Sequence, residues 1–208
     1  MSASSIPRLY LLTDRLNTSQ RPISSVINQA VDAGIRMVQI REKDLETRSL
    51  IDLIHILMPL IKQHQGKVLL NDRIDLAMAL NADGVHLRSD SLPVSLARRL
   101  LGSEKLIGVS THTEEEARKA EDDGADFVVL GPIYETPSKH MYGQPLGLHT
   151  LETACRATRL PIFAIGGIKP KHVPTVLSTG AYGVAVISAI LQAPSIIDST
   201  QEFLSQLP

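Results

Sequence analysis

The chain is nearly without cysteine. Cys155 stands alone, so no intrachain disulfide can form, which fits a reducing compartment. It lies in a helical pattern and is expected to be a small buried hydrophobe. There is no tryptophan, and only three Phe and four Tyr, too few for a platform on which bases would stack. Charge of one sign is also missing: the net charge is -1. A nucleic-acid surface or a polyanionic partner is therefore not expected. No apolar run approaches the roughly 20 residues of a membrane span. The opening MSASSIPRLYLLTD lacks the basic start and long apolar stretch of a signal peptide. The expectation is a cytoplasmic protein with no membrane partner.

What is present is a repeat. The 208 residues are 43% hydrophobic, enough for a sizeable core. Short apolar or β-branched runs fall at 9–14, 37–42, 67–72, 84–89, 106–111, 127–132, 161–167 and 183–188. Most are too continuously apolar for half-exposed strands and fit parallel strands buried on both faces. Between them lie helical patterns. Ile23, Val26, Ile27, Ala30 and Val31 follow a 3.6-residue period, and so do Leu50, Leu53, Ile54, Leu57 and Ile61. Thr113 followed by Glu116 predicts a capping box. Gly34, Gly124 and Gly180 follow helical runs, where a left-handed end favours glycine. DAGIRMVQI, NADGVHL, DGADFVVL and TGAYGVAVI echo one another as helix end, turn and strand. Eight such units without a compositional break predict a single-domain (β/α)8 TIM barrel over 1–208. The alternative is a doubly wound open sheet.

Polarity is concentrated at one end of each unit. Strand starts carry little: Arg8, Arg36, Lys67 and Asp126. Strand ends carry Thr13 and Asp14; Gln39, Arg41, Glu42 and Lys43; Asn71, Asp72 and Arg73; His86, Arg88, Ser89 and Asp90; Ser110, Thr111 and His112. In this fold active sites lie at the strand C-termini. Alternate spacing would turn Gln39, Arg41 and Lys43 to one face. Two cations there either await an anion or pair with Glu42 or a helix carboxylate. Asp72 either ligates Mg²⁺ or caps a helix beginning at Arg73. His86, opposite in phase to Val85 and Leu87, is either structural or functional. His55, His64, His149 and His172 are expected at the surface.

GPIYETPSKHMYGQPLG, residues 131–147, follows the sixth run without a clear period. Loops of this length in compact domains are usually functional or disordered. Gly166 and Gly167, together with Ile187 and Ser188, suggest a phosphate cradle after the seventh and eighth strands, against plain turn chemistry. Two anion-holding regions suggest that two phosphorylated halves are joined with diphosphate leaving. The long loop, through Thr136, Ser138 and Lys139, would close over them and exclude water.

LYLLTD, VQIREK, NDRIDLA, ADGVHL, GVSTHT, GADFVVLGPIYETPSK, AIGGI and GVAVISAI run in order through residues 9–190. Together they resemble the thiamine-phosphate synthase / TenI family, TIM barrels of thiamine biosynthesis. The resemblance implies a transferase joining hydroxymethylpyrimidine diphosphate to thiazole phosphate. Gln39 and Ser110 would address the pyrimidine. Arg41, Lys43, Asn71 and Lys139 would hold the diphosphate, with Asp72 on Mg²⁺. Thr136 and Ser138 would line the lid and thiazole side, and Gly167, Ile187 and Ser188 would bind the thiazole phosphate.

Two departures qualify it. Synthases typically read H-L-G-Q-(D/E)-D after the fourth strand; here His86-Leu87-Arg88-Ser89-Asp90-Ser91 puts Ser at the second metal position and Arg88 where Gly is usual. The lid, with Glu135-Thr136, is closer to the TenI branch, a thiazole tautomerase, yet Pro132 stands where that branch has its acid/base His. Tautomerase activity, with His140 reaching in from the lid, and non-catalytic binding of a phosphorylated thiazole are the alternatives. Partners would be small phosphorylated molecules, and a homo-oligomer is left open.

Overall fold

A computed structural model describes residues 6–136 and 144–208. Eight parallel strands close into a barrel in sequence order. They are β1 (Leu9–Leu12), β2 (Met37–Ile40), β3 (Lys67–Asn71), β4 (Gly84–Leu87), β5 (Leu106–Thr111), β6 (Phe127–Leu130), β7 (Ile162–Ile165) and β8 (Gly183–Val186). Pairing of β1 with both β2 and β8 seals the ring. The helices are α1 (Ile23–Asp32), α2 (Thr47–Lys62), α3 (Ile74–Ala79), α4 (Val94–Leu101), α5 (Glu114–Asp122), α6 (Gly147–Ala157), α7 (Val173–Ser178), α8 (Ser188–Leu191) and α9 (Ile196–Ser205). The closed ring decides for the barrel over the open sheet.

The two-residue period of each strand sorts side chains into two cores. Leu9, Leu11, Val38, Val68, Leu70, Val85, Ile107 and Val128 meet the buried helix faces in an outer layer. Tyr10, Leu12, Met37, Leu69, Leu106, Phe127 and Phe163 fill the barrel itself. Phe127 packs edge-on to Tyr10 and Phe163, with centroids 5.7 and 5.4 Å away. Each such ring, fully removed from water, contributes roughly 1.5–3 kcal/mol. Gly108 makes room for them: a Cβ there would stand 2.2 Å from Phe127 Cζ and 2.7 Å from His86 Nδ1.

Several strands end one or two residues before their sequence runs do. The polar tips have left the ladder, so Arg41 and Lys43 sit on a loop rather than on a continued strand. The helix ends also differ in detail. Thr113 Oγ1 accepts from Glu116 N–H as expected. The Glu116 carboxylate, however, takes the N–H of His112, not that of Thr113. Cys155 is half-buried against the outer core rather than fully enclosed, and burial pushes its thiol up to about 11.

Candidate active site at the barrel mouth

Because all eight strands are parallel in one ring, their C-terminal tips share one end. The inward phase brings Gln39, Asn71, His86 and Ser110 to the top of the barrel interior, from β2, β3, β4 and β5. Gln39 is fully buried; its Nε2 donates to Tyr10 OH at 2.8 Å, and its Oε1 has no hydrogen-bond partner. An unpaired buried acceptor costs about 1–3 kcal/mol, which an incoming donor would recover. Tyr10 is the residue the sequence did not single out. Its in-phase position with Leu12 on β1 was the available signal.

His86 is enclosed among Tyr10 and Phe127. Burial, with a smaller push from Arg41, lowers its pKa to about 3, so the ring is neutral. Its Nε2 lies 2.9 Å from Ser110 Oγ, while Nδ1 faces Gly108 and has no partner. A bare ring nitrogen is cheaper to bury than a bare N–H. The proton therefore belongs on Nε2, donated to Ser110, whose own O–H is left to donate outward. His86 serves the site by orienting Ser110.

Arg41 is half-buried, and its backbone N–H donates to Thr13 Oγ1 at 2.9 Å. Burial, and then repulsion from Arg88, make its charge harder to keep, although Asp14 and Glu42 help hold it. Glu42 does not form an ion pair with Arg41. Its buried carboxylate accepts the Arg15 N–H at 3.0 Å and faces the Arg15 guanidinium, whose fork grips Asp44 at 2.6 and 2.7 Å. Lys43 is exposed beside it.

Asp72 is not a helix cap. α3 begins at Ile74 with Arg73 before it, and no side chain caps it. Arg73 turns away to Asp75, at 2.9 and 2.6 Å. Asp72 takes the left-handed φ of +56°, and its N–H donates to His86 O at 2.9 Å. Its carboxylate meets Arg88: Nε is 3.4 Å from Asp72 Oδ2 and 3.0 Å from Asp90 Oδ1. Ser91 Oγ accepts from the Arg88 backbone N–H at 2.8 Å. Mg²⁺ sits about 2.1 Å from its oxygen ligands. As these side chains stand, such an ion between the carboxylates would collide with a guanidinium of like charge, so the pair does not fit it. Among the described residues no group of three or more His, Cys, Asp or Glu side chains could hold a metal.

On the far side of the mouth, Gly166 and Gly167 adopt φ of +99° and +65°. Close approach explains them first within the protein. A Cβ on Gly166 would meet Pro132 Cα at 2.6 Å, and one on Gly167 the Glu135 carbonyl oxygen at 2.4 Å. The glycines seat the strand-six loop, whose Ile133 and Tyr134 N–H groups donate to Ile165 O and Gly166 O. The loop's stem is closed by Leu146 N–H to Pro132 O at 2.8 Å. Thr136 is half-buried on this loop; Ser138, Lys139 and His140 lie outside the described residues. Ile187 precedes α8, and Ser188 is its first residue. His112 Nδ1 is 2.7 Å from Gly131 O, so an imidazole just past β5 flanks the start of the loop. His172 stacks on Tyr134 with centroids 4.4 Å apart, and His64 pairs with Asp32.

Fold and mouth together define a (β/α)8 barrel with a polar, cation-bearing opening. Comparison with known sequences and structures narrows that class. The thiamine monophosphate synthase family model matches residues 9–190, and the chain belongs to that family. A thiamine-phosphate synthase of Clostridium novyi is 40% identical over 91% of this chain and 93% of its own. One from Roseiflexus sp. is 40% identical over 89% of this chain and 79% of its own. The structure of thiamine phosphate pyrophosphorylase from Pyrococcus furiosus matches with a TM-score of 0.86 at 31% identity, covering 96% of this chain and 94% of that one.

Proposed function

We propose that this chain is a thiamine-phosphate synthase, joining hydroxymethylpyrimidine diphosphate to thiazole phosphate with release of diphosphate. The observation that carries the proposal is the convergence of Gln39, Arg41, Asn71, Ser110 and Ser188 on one barrel end in a chain of this family. Gln39 Oε1 is an acceptor without a donor, and Ser110, on β5 at the same barrel end, offers a donor. That pair complements an amino group next to a ring nitrogen on a pyrimidine. Arg41, Lys43, Asn71 and Lys139 would hold the diphosphate. Gly167, Ile187 and Ser188 would hold the thiazole phosphate, with Thr136 and Ser138 over them.

In the step itself the C–O bond between the pyrimidine methylene and the diphosphate breaks, and its electron pair leaves on oxygen. The thiazole nitrogen supplies the pair for the new C–N bond and becomes the thiazolium. No side-chain nucleophile or redox partner is needed. The protein's part is to align the two halves and stabilise charge on the leaving group. The test is to mix the full chain with both phosphorylated precursors and assay thiamine phosphate. In parallel, the thiazole carboxylate phosphate is supplied alone. Thiamine phosphate in the first mixture supports the proposal. Isomerisation without joining would assign a tautomerase, and affinity without turnover a binding protein; either overturns it.

A further inference from the structure

We infer that Arg88 stands in the place of a divalent metal at this mouth, so that the Asp72–Asp90 pair holds a guanidinium rather than Mg²⁺. Asp72 and Arg88 follow adjacent strands, β3 and β4, whose tips are in register through Asn71 and His86. The left-handed backbone at Asp72 and its bond to His86 O aim the carboxylate at the neighbouring strand end. Arg88 is held from both sides. Its backbone N–H is taken by Ser91 Oγ, while its Nε is 3.0 Å from Asp90 Oδ1 and its second terminal nitrogen donates to Asp90 Oδ2 at 3.1 Å. Ser at 91 therefore does more than leave out a carboxylate: it anchors the residue that fills the gap.

The exchange is chemically coherent. A guanidinium keeps its charge at any working pH, and its fork of five N–H donors matches phosphate geometry. With an exposure of 46%, the Arg88 side chain is open to the mouth. With Arg41 beside it, Arg88 places two fixed positive charges where a departing diphosphate gathers negative charge. The turnover arm of the test rests on the synthase reading; the metal-binding arm does not.

The experiment compares the metal-stripped full chain with Arg88→Gly. Mn²⁺ uptake is read by electron paramagnetic resonance, and joining is assayed in EDTA and in Mg²⁺. Circular dichroism confirms that the variant is folded. The expected result is no Mn²⁺ uptake by the parent chain and clear uptake by Arg88→Gly, abolished when Asp72→Asn is added. EDTA should then slow the parent by less than about threefold and Arg88→Gly by about 100-fold or more, with Mg²⁺ restoring the variant. Equal Mn²⁺ uptake by both chains, uptake by neither, or a parent that stops in EDTA would overturn the inference. If neither chain joins the precursors even with Mg²⁺, the synthase reading fails, and the Mn²⁺ result alone decides the place of Arg88.

Discussion

The two ends of the barrel handle polar groups in opposite ways. At the strand starts, Arg36 donates to Val31 O and Ile35 O, at 2.7 and 2.8 Å. Arg8 donates to Tyr182 O and lies over the Tyr182 ring, 4.6 Å from its centroid. Asp126 accepts the Ile107 N–H at 2.7 Å and pairs with Arg98 at 2.6 Å. Asp83 does the same service for Val68, accepting its N–H at 2.6 Å. At the strand ends, Gln39 and His86 each keep a buried polar atom unpaired, and Arg41 holds its charge against burial. Thr111 Oγ1, on the helix-facing side of β5, and Thr200 Oγ1 in α9 are unpaired as well; nothing in the structure explains them. Polar groups bound by protein stabilise the fold. A group left short inside the mouth, such as Gln39 Oε1, costs stability that a donor on a ligand would recover.

The two ends therefore respond differently to substitution. The largest effect is expected from Arg41→Ala: a fall in kcat/KM of about 10²–10³, the size of losing one preorganised charge, with the unfolding midpoint held or raised. A comparable loss of stability would put Arg41 among the structural cations and erase the contrast. Next comes Asp126→Ala at the opposite end. Urea unfolding should show a loss of about 1–3 kcal/mol as the Ile107 N–H and Arg98 lose their partner, while kcat/KM of the folded protein stays put. A drop in kcat/KM matching that of Arg41→Ala would show that the base of the barrel is not merely structural.

The smallest effect sharpens the role of His86. Its folded pKa of about 3 lies below the ordinary 6.5, so acid favours the unfolded chain, which binds the proton first. Its contribution is intact above pH 6.5 and is lost as pH falls toward 3, at up to about 1.4 kcal/mol per pH unit. Between pH 7 and 5.5, before most carboxylates titrate, urea midpoints should fall for the parent and flatten in His86→Gln. Parallel curves for the two chains would remove the buried neutral imidazole from the account.

Much of this was legible along the chain. The eight runs were found because strands buried on both faces lack polar interruptions. His86 was correctly set opposite Val85 and Leu87 because a strand's period is strictly two. The run ends were overread because polarity there marks departure from the ladder, not its continuation. The partners of charged side chains were less readable. Arg73 chose Asp75 rather than the mouth, Glu42 chose Arg15 across 27 residues of sequence, and Arg88 closed on both Asp72 and Asp90. Each choice depends on which oppositely charged groups the folded chain brings within reach, and the sequence offers several of equal chemical merit. Gly166 and Gly167 were readable as close-approach positions, but not that Pro132 and Glu135 are what approach.

The order of residues alone settled the alternation, the count of eight units and the phase of His86 opposite Val85 and Leu87, because those follow from local periodicity and short connections. Closure of the ring decided which orphaned atoms, cations and carboxylates would share one opening, since contacts between chain segments far apart in sequence exist only once the strands have met.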